Sequence, residues 1–71
     1  MTETLSASRL ANWIHENRRR LKWTQADLAD KLGVTVVTIS KLENGHAETT
    51  LKTLRKLCSL FDRAYVVTAD E

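Results

Sequence analysis

Two short segments, each opened by a threonine and closed by a glycine, constrain the fold of this 71-residue chain more than any other feature. Residues 24–27 have the pattern of a capping box, in which the Thr24 hydroxyl and the Asp27 carboxylate each accept the other residue's backbone N–H. Gly33 can adopt the left-handed conformation that ends a helix. Thr35 is a second N-cap, and residues 44–45, Asn-Gly, are a second stop signal. The spacing predicts two short helices joined by a tight turn.

A helix is also predicted on each side of this pair. Residues 8–21 place Leu10, Ile14 and Leu21 on one helical face. A fourth helix begins near Thr49 or Thr50, and residues 1–7 are predicted to be a flexible arm. The apolar positions of the fourth helix that we expect to face inward are Leu51, Leu54, Leu57, Cys58 and Phe61. The inward positions of the central pair are Leu28, Ala29, Leu32, Val34, Ile39 and Leu42.

The end of the chain changes character, because residues 64–68 are rich in β-formers after four helices. One strand alone leaves its backbone hydrogen bonds unpaired, and a second strand-like segment is not found in the sequence. We therefore predict that Tyr65, Val66 and Val67 pair with the same strand of another copy in a homodimer. A frayed tail or a fifth helical turn are the alternatives. This divides the chain into an arm (1–7), a helical domain (8–62) and a dimerisation strand with an acidic tail (63–71).

Composition excludes several classes of protein. Neither a membrane-spanning run nor a secretory signal is present, which together with the single Cys58 favours the cytoplasm. That cysteine is expected to be a buried core thiol. One cysteine and two separated histidines have no metal-ligand spacing, so neither a metal nor another cofactor is predicted. The sequence also lacks a phosphate-binding loop and a catalytic constellation, and we predict no enzymatic activity. Because cores of about this size are marginal, a partner copy is the expected support.

The predicted fold class is all-α, with four to five helices that include a helix-turn-helix. Its central run, TQADLADKLGVTVVTISKLENG, closely resembles the Cro/C1-type (XRE) helix-turn-helix family, whose domains are lambda-repressor-like. The residues that carry the resemblance are Thr24-Gln25, Leu28-Ala29, Leu32-Gly33-Val34, Thr38-Ile39-Ser40 and Leu42-Glu43-Asn44-Gly45. This resemblance implies binding to double-stranded DNA on a palindromic operator, and a bacterial or phage protein associated with the nucleoid.

Candidate contact residues follow from the helix-turn-helix geometry, which places the second helix of the motif in the major groove. The predicted base-contacting residues are Thr35, Val36, Val37, Ser40 and Lys41. One of the two valines is expected to face the bases, where apolar side chains can contact thymine methyl groups. The other valine is expected to pack against the protein. The predicted phosphate contacts are Arg19, Arg20 and Thr38 and, as the resemblance implies, Gln25, Asn44 and His46. By resemblance, Arg18 and Glu43 form a partly buried salt bridge with a structural role.

The final helix and the strand-like segment resemble those of Hip-type antitoxins, which partner a kinase-type toxin and repress their own operon. The resemblance therefore implies an antitoxin that binds a cognate toxin protein and autoregulates its promoter. One alternative is a phage-type repressor. A controller-type activator would require an acidic patch formed by Asp27, Asp30 and Glu48. A mainly protein-binding antitoxin module would instead expose Trp13, Trp23 or Tyr65.

Overall fold

The computed structural model describes residues 7–47 and 49–65, which form four helices and no strand. Helix α1 spans Ala7–Arg20, α2 Gln25–Leu32, α3 Val36–Glu43 and α4 Leu51–Phe61. The all-α prediction is confirmed. Tyr65 has no regular secondary structure, whereas Val66, Val67 and the acidic tail lie outside the described residues. The C-terminal strand stays a prediction.

Threonine caps begin three of the helices. Thr24 forms the complete capping box: its hydroxyl accepts the Asp27 N–H at 3.0 Å, and Asp27 Oδ2 accepts the Thr24 N–H at 2.9 Å. The backbone N–H and the hydroxyl of Thr24 lower the pKa of the Asp27 carboxyl. Thr35 caps α3 through the Thr38 N–H, and Thr50 caps α4. These side chains accept N–H groups that the first turn of a helix otherwise leaves unpaired.

Each helix ends in the same way, with one residue in the left-handed region. These residues are Lys22, Gly33, Gly45 and Asp62, with φ of 60°, 78°, 71° and 55°. After α2, the Val34 N–H reaches back to the Ala29 carbonyl at 2.9 Å, which is the bond pattern of a Schellman motif. The tight turn between α2 and α3 follows directly from this stop, because Thr35 already caps the next helix.

The core lies where α3 packs against α1 and α2, and α4 closes it against the same two helices. Its largest fully buried side chains belong to all four helices and are Ile14, Leu28, Ile39, Leu57 and Phe61. Ala29 is small and 3 % exposed, which allows the two helices of the motif to approach closely.

Three positions expected in the core are not buried there. Leu51 is 64 % exposed and Val34 37 % exposed, so both predictions are wrong. Leu51 opens α4, and at about 100° per residue it lies roughly 90° from the centre of the buried stripe formed by Leu54, Leu57 and Phe61. Cys58 lies on the same flank and is only partly buried against the core, instead of fully buried.

Candidate nucleic-acid interface

Helix α3 presents one face to the core and the opposite face to solvent. Ile39 is 0 % exposed and Leu42 5 %, so these two residues hold the helix against its neighbours. Val36 and Val37 are 44 % and 62 % exposed. The expectation that one of the valines packs against the protein is therefore wrong, because the i, i+3 pair Ile39 and Leu42 already defines the inward stripe. Lys41 is exposed on the same helix.

Polar groups at the two ends of α3 are held by local hydrogen bonds. The Thr35 hydroxyl accepts the Thr38 N–H at 3.2 Å, and it is hydrogen-bonded to the Thr38 hydroxyl at 3.0 Å. At the other end, Asn44 Nδ2 donates to the Ser40 carbonyl at 2.7 Å. His46 is exposed just beyond the helix, and its backbone N–H donates to the Lys41 carbonyl at 2.8 Å. Most of the predicted contact residues of α3 and its flanks are thus exposed along one short segment, while Thr38 and Ser40 are half-buried.

A charged network joins the end of α3 to α1 and α2. Arg18 donates to Glu43 from Nε at 2.7 Å and from Nη2 at 3.0 Å, and from Nη1 to the Trp23 carbonyl at 2.8 Å. His15 Nδ1 lies 2.9 Å from Glu43 Oε1, and Gln25 Nε2 lies 3.4 Å from the same oxygen. The structure brings Arg18 and Glu43 together as a salt bridge whose two side chains are 13 % and 5 % exposed.

The Glu43 carboxylate is ionised within this network. Burial raises its pKa, but the hydrogen bonds from Arg18 and His15 outweigh burial, and the pKa is lowered from the usual 4.5. An ionised carboxylate only accepts hydrogen bonds, so each nitrogen that contacts it must carry a proton. His15 and its contact with Glu43 were not predicted. Their sequence separation of 28 residues carries no local signal.

Arg19 and Arg20, at the end of α1, lie in different environments. Arg20 Nη2 donates to the Phe61 carbonyl at 2.8 Å, where a cation at the C-terminus of α4 also complements the helix dipole. Arg19 is exposed. Both residues were predicted as phosphate contacts, and Arg20 has in addition this structural bond that links the ends of two helices.

The aromatic residues form one cluster at the outer side of α1 and α4. The Trp13 ring lies 5.4 Å from the ring of Phe61 and 5.0 Å from that of Tyr65, both edge-on. Trp23 lies 5.9 Å from Phe61, and Lys31 Nζ lies 4.9 Å from the Trp23 centroid. Trp13, Trp23 and Tyr65 are thus packed partly against the core and do not form an exposed aromatic patch.

The acidic residues considered for an activator patch do not share one environment. Asp27 belongs to the capping box, and Asp30 is exposed on α2. Glu48 lies outside the described residues. Every helix in the described part of the chain is too short or too polar to cross a lipid bilayer.

The fold and the exposed face of α3 define a helix-turn-helix domain of the DNA-binding class. A family model described as helix-turn-helix (HTH_3) matches residues 14–65. The chain belongs to this family, and the matched domain is a DNA-binding domain and not an enzyme.

Two curated relatives carry the same name. Antitoxin HipB of Escherichia coli K12 is 42 % identical over 52 residues, which cover 73 % of this chain and 59 % of the relative. Antitoxin HipB of Escherichia coli O6:H1 (strain CFT073) is 40 % identical over 52 residues, covering 73 % and 55 %. The chain therefore spans less than two thirds of the length of these relatives.

Solved structures share the fold. An HTH_3-family transcriptional regulator from Vibrio cholerae matches with a TM-score of 0.75 and 24 % identity, over 83 % of this chain and 33 % of that chain. Hydroxypropylphosphonic acid epoxidase from S. wedmorenis matches with a TM-score of 0.77 and 31 % identity, over 89 % and 33 %. Because each match covers one third of the other chain, it concerns the domain fold and not the activity of the whole protein.

Proposed function

We propose that this chain is a sequence-specific transcriptional repressor that binds operator DNA as a homodimer. The observation that supports the proposal most is the orientation of α3. Ile39 is fully buried, while Val36 and Val37 on the same helix are 44 % and 62 % exposed. Two adjacent valines on a short helix leave much of their apolar surface in water, whereas thymine methyl groups in a major groove provide apolar contact.

In this proposal, two groups of residues divide the interface. The base-contacting group on α3 is Thr35, Val36, Val37, Ser40 and Lys41. The phosphate-contacting group that surrounds it is Gln25, Arg19, Arg20, Thr38, Asn44 and His46. Phosphate contacts set the position of the domain on DNA, and base contacts provide sequence preference.

On DNA binding, the Gln25 side chain can exchange its hydrogen bond to Glu43 for one to a phosphate. Glu43 Oε1 accepts from His15 at 2.9 Å and Arg18 at 3.0 Å, whereas the Gln25 amide is 3.4 Å away. A carboxylate oxygen offers about two good acceptor positions, so the Gln25 bond is the weakest of the three. The amide can leave Glu43 for a phosphate oxygen at small cost.

A dimer would place two copies of α3 in successive major grooves about 34 Å apart, which requires a palindromic operator. Residues 8–62 are the DNA-binding unit of each copy. Residues 63–71 provide the dimer contact, with Tyr65, Val66 and Val67 in a strand that pairs across the two-fold axis.

We further propose that the chain is an antitoxin that binds a kinase-type toxin and represses the operon encoding both. The support is its similarity to two proteins named antitoxin HipB over 73 % of this chain. The packing of Trp13 and Trp23 against Phe61 favours operator binding over a role limited to protein binding, because these rings are not an exposed patch. A second function of the activator type has no comparable support.

Fluorescence anisotropy with the protein's own upstream DNA, and with scrambled DNA of equal length, tests the proposal. Specific affinity should exceed non-specific affinity by about 10³ or more, and both should fall as salt rises. Equal weak binding to both duplexes would contradict a repressor of its own operon. Copurification with the product of the adjacent gene tests the antitoxin role separately.

A further inference from the structure

The turn between α2 and α3 is joined to α4 by a side-chain hydrogen bond. Lys56 of α4 donates from Nζ to the Leu32 carbonyl at 3.0 Å. Leu32 is the last residue of α2, and its carbonyl belongs to the peptide that leads into Gly33. Lys56 Nζ therefore binds the chain at the point where it leaves α2 and enters the turn.

The Leu32 carbonyl is one of the acceptors that a helix leaves unpaired at its C-terminus. The Ala29 carbonyl accepts the backbone N–H groups of Gly33 and Val34. The Leu32 carbonyl, in contrast, accepts no backbone N–H in the described part of the chain, and the Lys56 ammonium takes that place. A cation at this position also complements the negative end of the α2 dipole.

Residues 33–38 connect two buried side chains without being buried themselves. Leu32 is 4 % exposed and Ile39 0 %, whereas residues 33–37 are exposed and Thr38 is half-buried. Packing against the core therefore fixes α3 from Ile39 onward, and the segment before it is held by hydrogen bonds. The proposed base-contacting residues in this segment are Thr35, Val36 and Val37.

Most of the bonds that hold this segment are local. The Val34 N–H donates back to α2, and the Thr35 side chain caps α3. These bonds set the shape of the turn, but they join residues that are close in sequence. Lys56 is 24 positions from Leu32, so its bond ties the turn to a different helix of the core.

We propose that Lys56 is a positioning residue for DNA recognition. Its bond to the Leu32 carbonyl sets the orientation of the start of α3 relative to the core, and Lys56 itself does not contact DNA. The inference rests on the proposed function, because it concerns how α3 is presented to bases. Side chains that contact base edges must be placed within about 0.5 Å, so a small displacement of the turn lowers sequence preference more than it lowers phosphate binding.

Three variants separate the bond from the charge. Lys56→Met keeps an unbranched side chain and removes both the donor and the charge, whereas Lys56→Arg keeps both. Lys52→Met is the matched control, because Lys52 is exposed on the same helix and makes no hydrogen bond or ion pair with the described residues. Circular dichroism melts set a temperature at which every variant is folded.

Amide hydrogen exchange, followed by NMR, measures the turn without DNA. In Lys56→Met, the N–H groups of Val34 and Ile39 should exchange about tenfold faster, because they form the bonds on either side of the turn. The Leu28 N–H, at the start of α2, should exchange at an unchanged rate. Lys56→Arg and Lys52→Met should leave all three rates unchanged.

Fluorescence anisotropy then measures recognition as the ratio of the affinities for the protein's own upstream DNA and for scrambled DNA. Lys56→Met should lower this ratio about tenfold per protomer, a loss comparable to that from one mismatched base pair. Lys56→Arg and Lys52→Met should keep the ratio. On scrambled DNA, the slope of log K against log salt should be the same for Lys56→Met and the unmodified chain, because no phosphate contact is removed.

Several outcomes would overturn the inference and leave the proposed function standing. These are an unchanged ratio in Lys56→Met, an equal loss in Lys52→Met, a ratio that Lys56→Arg does not restore, or faster exchange of Leu28 together with Val34. A slope on scrambled DNA that falls by about 0.9 per protomer would overturn it too, because Lys56 would then be a phosphate contact. Equal binding of both DNAs by the unmodified chain contradicts the proposed function and, with it, the role of Lys56.

Discussion

Glu43 connects three helices through one carboxylate. It ends α3, and it accepts hydrogen bonds from Arg18 and His15 of α1 and from Gln25 of α2. Its side chain is only 5 % exposed and that of Arg18 13 %, so this ion pair is largely shielded from water. Removing the carboxylate would leave several of these donors unpaired, which costs more than the bonds themselves contribute.

Glu43→Gln should destabilise the domain by about 2 kcal/mol at pH 7, since hydrogen bonds between charged groups are lost. The lowered pKa sets the sign of the pH dependence. The contribution of Glu43 is fully present above its usual pKa of 4.5 and is lost as the pH falls through the lower pKa of the folded state. Urea unfolding at pH 7 and pH 3.5 measures this. If the difference in free energy of unfolding between the two proteins is as large at pH 3.5 as at pH 7, the role of the charge is contradicted.

At Val37, the proposed base contact can be tested separately from any effect on stability. Val37→Ala should weaken binding to the cognate operator by about 1–3 kcal/mol, with little change on scrambled DNA. Its stability should hardly change, because the side chain is 62 % exposed. Leu51→Ala is the matched control, since Leu51 is also apolar and is 64 % exposed on α4. Equal losses on both DNAs would exclude base contact by Val37.

At the scale of the element, each helix is followed by one left-handed residue, but the residue type at that position differs. Gly33 and Gly45 occupy two left-handed positions, which suits residues without a Cβ atom. Lys22 and Asp62 occupy the equivalent positions after α1 and α4, with φ of 60° and 55°. Non-glycine residues are strained there. The chain therefore keeps unfavourable backbone conformations at two of its four helix ends.

Introducing a glycine at one of these helix ends and removing a glycine at another should change the stability of the domain in opposite directions. Lys22→Gly should stabilise the domain by up to about 1 kcal/mol because it removes the Cβ strain. Gly33→Ala should destabilise it by about 1 kcal/mol. A Cβ atom at Gly33 would make an ordinary van der Waals contact with Lys56 Nζ at 3.8 Å, so the cost is backbone strain and not a clash. Thermal melts measure both, and destabilisation by Lys22→Gly would contradict backbone strain at this position.

At the scale of the whole molecule, the described residues form one core, and α3 is held on it from two sides. A helix that contacts bases in the major groove must be held rigidly, so that its exposed side chains reach the correct base edges. The segment after α4 returns to α1, where Tyr65 lies 5.0 Å from Trp13. This places the start of the predicted dimer strand next to α1.

Val67→Pro tests the dimer. Proline lacks the backbone N–H that strand pairing uses, so the variant should be a monomer by sedimentation velocity and should lose operator affinity. Asp70→Pro, beyond the predicted strand, is the control and should remain a dimer. A dimeric Val67→Pro protein would show that the copies associate through another surface.

The sequence by itself determined the helices, the threonine caps of α2, α3 and α4, the glycine stops after α2 and α3, and the inward Ile39–Leu42 pair of α3. These features depend on signals that lie within a few residues, such as the capping box at Thr24 and the Ile39–Leu42 spacing. The likeness to a helix-turn-helix family rests on the same local signals, so the sequence alone carries it.

Apart from the Arg18–Glu43 salt bridge, which the family resemblance implied, only the tertiary structure decided which side chains meet across the chain. The contact between His15 and Glu43 joins residues 28 positions apart, and the bond from Arg20 to the Phe61 carbonyl joins residues 41 apart. The exposure of Leu51 likewise depends on where α4 begins relative to the other helices. Such contacts depend on how packed helices are oriented, and a periodic pattern along one helix does not contain that information.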